Sequence, residues 1–210
     1  MNTNKDNNKF HIMDMDGTIL DSMHVWINID DTYLISKGVV PPDNIARIVE
    51  KKTMMECCVY FQELGVKMTP EEIYEDIMSK IFDEYRLHIQ IKDNMKKRIK
   101  DIIGRGEKIC LFTSSERRCA VAAFERLGII DCFDSIYTCA ELGMKKTTPD
   151  AFLYICKENG FLPEDTYIYE DALYAVKSAK AAGCHVIAVA EPSSANDWEE
   201  IKSLADEIIL

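Results

Sequence analysis

The sequence contains few of the residues that several functional classes require. Only four histidines are present, and none of the eight cysteines forms a C-x-x-C pair. A zinc site would need paired, closely spaced ligands, and a disulfide framework is typical of a small secreted chain. Several cysteines also lie in apolar stretches such as Ile109–Phe112. We therefore expect reduced, mostly buried thiols and a cytoplasmic location.

Positive charge is also scarce, because 25 lysines and arginines face 36 acidic residues and the net charge is −11. Nucleic acids and anionic membranes bind basic surfaces, so neither is expected as a partner. No apolar run approaches the ~18 residues of a membrane span, and the polar first nine residues lack the apolar part of a signal peptide. A small anionic substrate is not excluded, because it responds to the local pocket and not to the whole surface.

Short apolar runs alternate with amphipathic segments along much of the chain. The runs that read as strands are Phe10–Met13, Lys108–Thr113, Ser135–Thr138, Thr166–Tyr169 and Val186–Ala190. Helical spacing of apolar residues is found in Glu116–Leu127, Asp150–Glu158 and Ala172–Ala182. This alternation predicts an α/β fold with a Rossmann-like three-layer core and a mostly parallel sheet.

One long interval interrupts the alternation, since no convincing strand is found between the first run and Lys108. Thr69, Pro70 and Glu72 are strong signals for a helix start, with a hydroxyl N-cap, a proline at the first helical position and a capping box. Apolar residues then recur at every fourth position through Tyr85. We predict an inserted all-α domain over residues 22–92 and a discontinuous core domain over residues 1–21 and 93–210.

Polar residues follow four of the predicted strands, where active-site residues of a parallel sheet are found. These groups are Asp14-Met15-Asp16-Gly17-Thr18, Thr113-Ser114-Ser115, Lys145-Lys146 and Glu170-Asp171. Clustered carboxylates repel one another and need a cation, and oxygen ligands suit Mg²⁺. The Thr113 hydroxyl, the amides at the start of the helix predicted after it and a lysine would bind an anion. Together these groups predict phosphoryl transfer.

The order of these groups resembles the haloacid dehalogenase superfamily. Asp14-Met15-Asp16-Gly17-Thr18 is similar to its first motif, and the other motifs follow as Thr113, Lys146 before Thr148-Pro149-Asp150, and Glu170-Asp171. A helical insertion directly after the first motif resembles the subgroup with a small helical cap, which includes phosphoglycolate phosphatase-like and β-phosphoglucomutase-like enzymes. Thr147 stands where the family has a proline, so the Lys146 loop departs from the pattern.

The resemblance implies a role for each motif residue. Asp14 would be the nucleophile that forms an aspartyl-phosphate, and Asp16 would be the general acid and base. Thr113 and Lys146 would hold the phosphoryl oxygens. Further phosphate-binding candidates are Gly17, Thr18 and Ser114, and Gly17 also permits a tight turn. The metal candidates are Asp14, Asp16 through its backbone carbonyl, Glu170 and Asp171.

Simpler interpretations exist for some of these residues. An EF-hand loop is rejected, because the glycine falls in the fourth position and Val25 falls where a glutamate is needed. Ser114 and Ser115 also read as helix N-cap residues. Lys145 and Lys146 are distinguished by spacing alone.

The expected reaction type follows from Asp16 and from two differences between this sequence and the β-phosphoglucomutase-like pattern. Dehalogenases of the superfamily lack an acid at this position, so Asp16 favours phosphoryl transfer. β-Phosphoglucomutase-like sequences carry a histidine where this chain has Trp26, and their glycine-containing cap loop has no counterpart in Val49–Glu56. Trp26, Lys51 and Lys52 are weak candidates for contacts with the leaving group.

These features predict a Mg²⁺-dependent phosphatase of a small phosphorylated metabolite, with a cap that gates the site. The alternatives are a sugar-phosphate mutase and a non-catalytic regulator with the same fold.

Overall fold

A computed structural model describes residues 9–49 and 52–210 of the chain. Six strands form one sheet in the order β3-β2-β1-β4-β5-β6, and every neighbouring pair is parallel. The strands are β1 Phe10–Met13, β2 Lys108–Thr113, β3 Ser135–Thr138, β4 Thr166–Glu170, β5 His185–Val189 and β6 Glu207–Ile209. The prediction of a Rossmann-like α/β core with a parallel sheet is therefore confirmed.

The first helix of the sheet-bearing part of the chain, α6 Asp93–Gly104, begins about eighty residues after the end of β1, and the others follow it between or after the later strands. These others are α7 Arg117–Leu127, α8 Cys139–Leu142, α9 Asp150–Asn159, α10 Leu173–Ala181 and α11 Trp198–Leu204. The predicted strands agree with those observed to within one residue at each end. β6 was not predicted, because its three residues are largely exposed and carry no apolar alternation.

The two faces of the sheet pack against different helices. Alternate strand residues such as Ile12, Phe112 and Ile168 join α9, α10 and α11 in one apolar core. The residues between them point to the opposite face, where α6 packs on β2 and the guanidinium of Arg98 lies 5.6 Å from the Tyr169 ring. Burial on both faces explains why the central strands read as continuous apolar runs.

A second compact unit, Ser22–His88, contains only helices among its described residues. They are α1 Met23–Ile27, α2 Ile29–Ser36, α3 Ile45–Val49, α4 Met54–Glu63 and α5 Pro70–Leu87. The predicted capping box begins α5, since the Glu72 amide donates to the Thr69 hydroxyl at 3.2 Å and the Thr69 amide donates to Glu72 at 2.8 Å. None of the described helices is both long and apolar enough to cross a membrane.

The other compact unit comprises the described residues up to Asp21 together with Ile89–Leu210. The insertion therefore ends four residues before the predicted boundary at residue 92. Residues 89–92 belong instead to the unit that carries the sheet, because their backbone bonds to the segment after β1. The Asp21 amide donates to Gln90 O, and the Lys92 amide donates to Ile19 O, each at 2.9 Å.

Candidate active site

The carboxyl ends of β1 and β4 bring three acidic side chains together. The two strands are adjacent and in register, with Met13 opposite Tyr169, and the Asp14 amide donates to the Tyr169 carbonyl at 3.0 Å. Asp14 therefore follows β1 at the level where Glu170 ends β4 and Asp171 follows it. One carboxylate oxygen from each of these three residues lies within 4.8 Å of the others.

Lys146 lies among these carboxylates. Its Nζ donates a hydrogen bond to Asp14 and another, of 2.6 Å, to Glu170. The side chain of Lys146 is only 2% exposed, whereas its neighbour Lys145 is exposed. Of the two lysines, the structure thus places Lys146 in the cluster. Lys146 does not directly follow β3, because α8 and part of a loop lie between them.

Burial and charge perturb every member of the cluster. Desolvation raises the pKa of Asp14 to about 7 even though the Lys146 ammonium opposes the shift. Burial likewise raises the pKa of Asp171 to about 7, with the Asp14 charge adding to it, and raises the pKa of Glu170. Burial opposes the charge on Lys146, but the two carboxylates outweigh it and hold the pKa of this lysine above its usual value. One ammonium for three carboxylates leaves excess negative charge, which a cation would neutralise.

The donor set fits Mg²⁺, which prefers carboxylate oxygens and commonly keeps several waters. Asp14, Glu170 and Asp171 supply hard oxygen ligands from two adjacent strand ends, and their spacing allows them to share one ion. The carboxylate of Asp16 is not a member of this group. Any contribution of Asp16 to the metal would therefore come from its backbone carbonyl, as the resemblance implies.

The carboxylate of Asp16 is held by a serine that sequence reasoning interpreted differently. The Ser115 hydroxyl donates to Asp16 Oδ2 at 2.6 Å. The N-cap interpretation of Ser114 and Ser115 was wrong, because the N-cap residue of α7 is Glu116, the residue directly after Ser115, and it makes no side-chain cap bond. The amides at the start of α7 consequently lie further along the chain than expected. The only sequence signal for Ser115 was a hydroxyl two residues beyond a strand end.

The remaining phosphate-binding candidates have distinct surroundings. Thr113 is fully buried, and its hydroxyl oxygen accepts from the Ser115 amide at 3.0 Å. The Thr18 hydroxyl donates to Asp171 at 3.1 Å, so it orients a metal candidate. Gly17 adopts a φ of 81°, which favours glycine. Ser114 is exposed and lies 3.5 Å from the Cys139 sulfur.

Two of the three weak candidates in the helical unit have local partners. The Trp26 indole donates to the Tyr85 hydroxyl at 2.9 Å, a contact within that unit. The ammonium of Lys52 lies 5.7 Å from the centre of the Tyr60 ring. Lys51 lies outside the described residues. The contacts of Trp26 and Lys52 favour a structural role for both.

Comparison with known proteins assigns the family. The model of the haloacid dehalogenase-like hydrolases matches residues 11–189, a range that includes Asp14, Lys146 and Asp171. The chain therefore belongs to the haloacid dehalogenase-like hydrolases, and the resemblance drawn from the motifs is confirmed.

Individual relatives are distant but nearly full-length. The fructose-1-phosphate phosphatase YqaB of Escherichia coli is 25% identical over 85% of this chain and 94% of its own length. Hexitol phosphatase A of the same species is 24% identical over 92% of this chain and 88% of its own length. A candidate beta-phosphoglucomutase of Thermotoga maritima has the same fold, with a TM-score of 0.81, 20% identity and coverage of 96% and 94% of the two chains.

Proposed function

We propose that the protein is a Mg²⁺-dependent phosphatase that hydrolyses a small phosphorylated metabolite through an aspartyl-phosphate. The observation that carries the proposal is the buried contact of Lys146 with Asp14 and Glu170, beside Asp171. A lysine that touches the nucleophile candidate would also reach the oxygens of a phosphoryl group bound there. The names of the two Escherichia coli relatives, both phosphatases, support the same reaction class.

In the first step, a carboxylate oxygen of Asp14 attacks phosphorus, and the bond between phosphorus and the leaving oxygen breaks. Asp16 donates a proton to that oxygen, so the leaving group departs as an alcohol. In the second step, a water attacks the phosphorus of the aspartyl-phosphate while Asp16 takes its proton. The P–O bond to Asp14 then breaks, which releases inorganic phosphate and restores the carboxylate.

The other residues bind and orient the reacting groups. Lys146 and the Thr113 hydroxyl would hold the phosphoryl oxygens, and Ser115 would orient Asp16. Asp14, Glu170, Asp171 and the Asp16 carbonyl would hold Mg²⁺, which would offset the negative charge of the carboxylates and the phosphate. Thr18 orients Asp171 by its hydrogen bond. That the helical unit gates this site stays a prediction.

The test is phosphate release from p-nitrophenyl phosphate in the presence of MgCl₂, with Asp14→Asn as the decisive variant. Asparagine keeps the shape of the side chain but is a far weaker nucleophile, so we expect turnover to fall by at least about 10³-fold. Asp165→Asn is the matched control, because Asp165 is exposed and lies outside the cluster. Turnover by Asp14→Asn at the wild-type rate would exclude Asp14 as the nucleophile.

The substrate class is tested by a phosphate-release screen across sugar phosphates, nucleotides and small phospho-acids. We expect release from sugar or sugar-alcohol phosphates. Interconversion of sugar phosphates without phosphate release would instead indicate the mutase. No turnover of any compound, with Mg²⁺ binding intact, would indicate the non-catalytic regulator.

A further inference from the structure

The ammonium group of Lys92 connects two loops at the carboxyl edge of the sheet. Its Nζ donates to the Gly17 carbonyl at 2.5 Å, to the Ala190 carbonyl at 3.1 Å and to Glu191 Oε2 at 2.6 Å. An ammonium group has three protons to donate, so these three acceptors match its full capacity. Gly17 lies in the loop after β1, and Ala190 and Glu191 follow β5.

The same residue also binds this loop through its backbone. The Lys92 amide donates to the Ile19 carbonyl at 2.9 Å, and Leu20 forms an antiparallel bridge with Ile91. The side chains of Lys92 and Glu191 are only 14% and 5% exposed. Removal of either partner from a charged contact so well shielded from water leaves the other charge without compensation, so the contact is costly to break.

The loop that Lys92 holds contains Asp16, the acid and base of the proposed reaction. Gly17 directly follows Asp16, and its carbonyl belongs to the next peptide unit along the chain. Lys92 therefore fixes the main chain beside Asp16, while Ser115 fixes its carboxylate. The peptide unit after Asp16 and the carboxylate of Asp16 are thus held by residues from different parts of the sequence.

We propose that Lys92 is a positioning residue, with Glu191 as its counter-ion, that holds the Asp16–Gly17 backbone so that Asp16 can transfer protons. This inference rests on the proposed phosphatase activity. Proton transfer requires the acid to lie within hydrogen-bond reach of the oxygen it serves. A displacement of about 1 Å can lower the rate about a hundredfold.

The two chemical steps depend differently on Asp16, and this difference makes the proposal testable. A p-nitrophenolate leaving group needs no proton, so formation of the aspartyl-phosphate tolerates a misplaced Asp16. Hydrolysis of the aspartyl-phosphate needs Asp16 to activate water. Loss of the Lys92 contacts should therefore slow the second step selectively, and the phosphorylated enzyme should accumulate.

The experiment compares wild type with Lys92→Met in rapid-mixing assays with p-nitrophenyl phosphate and MgCl₂. We expect the variant to release one equivalent of p-nitrophenol per site in a burst, followed by a steady-state rate about ten- to a hundredfold below wild type. Lys92→Arg should recover part of the loss, and Glu191→Gln should lower the steady-state rate several-fold. Lys202→Met is the control, because Lys202 pairs with Glu199 on α11 and lies outside the loops that Lys92 joins.

A second measurement does not depend on activity. Hydrogen exchange should be faster at the Gly17 and Leu20 amides in Lys92→Met, because both are bonded within the loop that Lys92 anchors. Unchanged exchange there, or a burst amplitude that falls in proportion to the steady-state rate, would overturn the role of Lys92. If wild type releases no phosphate, the proposed function fails, and exchange alone decides whether Lys92 holds the loop. If Lys92→Met does not fold, Glu191→Gln decides by the same two measurements.

Discussion

The ammonium group of Lys146 donates a 2.6 Å hydrogen bond to Glu170, and the side chains of both residues are 2% exposed. The same ammonium binds Asp14, so a single buried positive charge is shared by carboxylates at the ends of two strands. Removal of one partner from such a contact leaves buried charge without compensation, which costs more than the contact itself contributes. Stability and chemistry are therefore linked at this site.

Lys146→Met should destabilise the protein in the absence of divalent cations by about 3–5 kcal/mol, because Asp14 and Glu170 lose their buried counter-charge. The free energy of unfolding is measured by urea titration, with and without MgCl₂. Added Mg²⁺ should recover part of the loss by supplying positive charge. Lys145→Met is the matched control and should change the unfolding free energy by less than about 0.5 kcal/mol, since Lys145 is exposed. Equal effects of the two substitutions would contradict a charge-balancing role.

Ser115→Ala should lower kcat about tenfold with little change in KM, because the Asp16 carboxylate loses the hydroxyl that orients it. Steady-state kinetics with a sugar phosphate are the appropriate measurement, since an alkyl leaving group needs the proton. Ser115→Thr retains a hydroxyl and should restore much of the rate. If the alanine and threonine variants are equally slow, the hydroxyl is not what matters at this position.

Mg²⁺ should raise the free energy of unfolding of wild type, by about 2.7 kcal/mol when its concentration is a hundred times Kd. Asp171→Asn should abolish most of this gain, whereas Glu164→Gln, at an exposed position, should not. Thermal unfolding across a MgCl₂ series measures both. A full Mg²⁺ response from Asp171→Asn would remove Asp171 from the ligand set.

The affinity for Mg²⁺ should increase as pH rises from 6 to 8. Burial raises the pKa of Asp14 and of Asp171 to about 7, so the ion must displace protons at the lower pH. Calorimetry in two buffers of different ionisation enthalpy measures the protons released. A Kd that is independent of pH, with no proton release, would contradict the assignment.

A buried network around His11 should make the stability depend on pH. Burial lowers the pKa of His11 to about 4, although Glu107 opposes the shift, and burial raises the pKa of Tyr169 to about 12. The neutral imidazole accepts from the Tyr169 hydroxyl at Nδ1 over 3.2 Å and donates from Nε2 to Glu107 over 3.0 Å. The unfolded chain binds a proton at this histidine below about pH 6.5, and the folded chain does not.

The contribution of His11 to the free energy of unfolding, up to about 3 kcal/mol, should therefore be fully present above about pH 6.5 and be lost as pH decreases towards 4. Urea unfolding at several pH values measures the slope. His11→Gln should remove this part of the slope, and His24→Gln, at an exposed position, should leave the slope as in wild type. The same slope in His11→Gln and in wild type would contradict the role of His11.

The fold was predictable from the sequence where local patterns are strong. The five apolar runs became β1 to β5, and Thr69 with Glu72 began α5 as expected, because burial periodicity and capping are local properties. β6 was missed because pairing with β5, and not an apolar pattern, defines it.

The amino-acid sequence by itself determined which chemical groups end the strands: Asp14 and Asp16 after β1, Thr113 at the end of β2, and Glu170 and Asp171 at β4. Adjacent residues of similar type were separated only by the tertiary structure. It buries Lys146 and leaves Lys145 exposed, and it turns Ser115 towards Asp16 while Ser114 stays at the surface.

The contacts of Lys92 were also decided by the tertiary structure. The three groups that its ammonium binds lie 75, 98 and 99 positions away in the chain, so no local pattern indicates them. The physical reason is that burial and hydrogen bonding depend on where the strands bring distant segments together. Residue type and periodicity, in contrast, are properties of short stretches of the sequence.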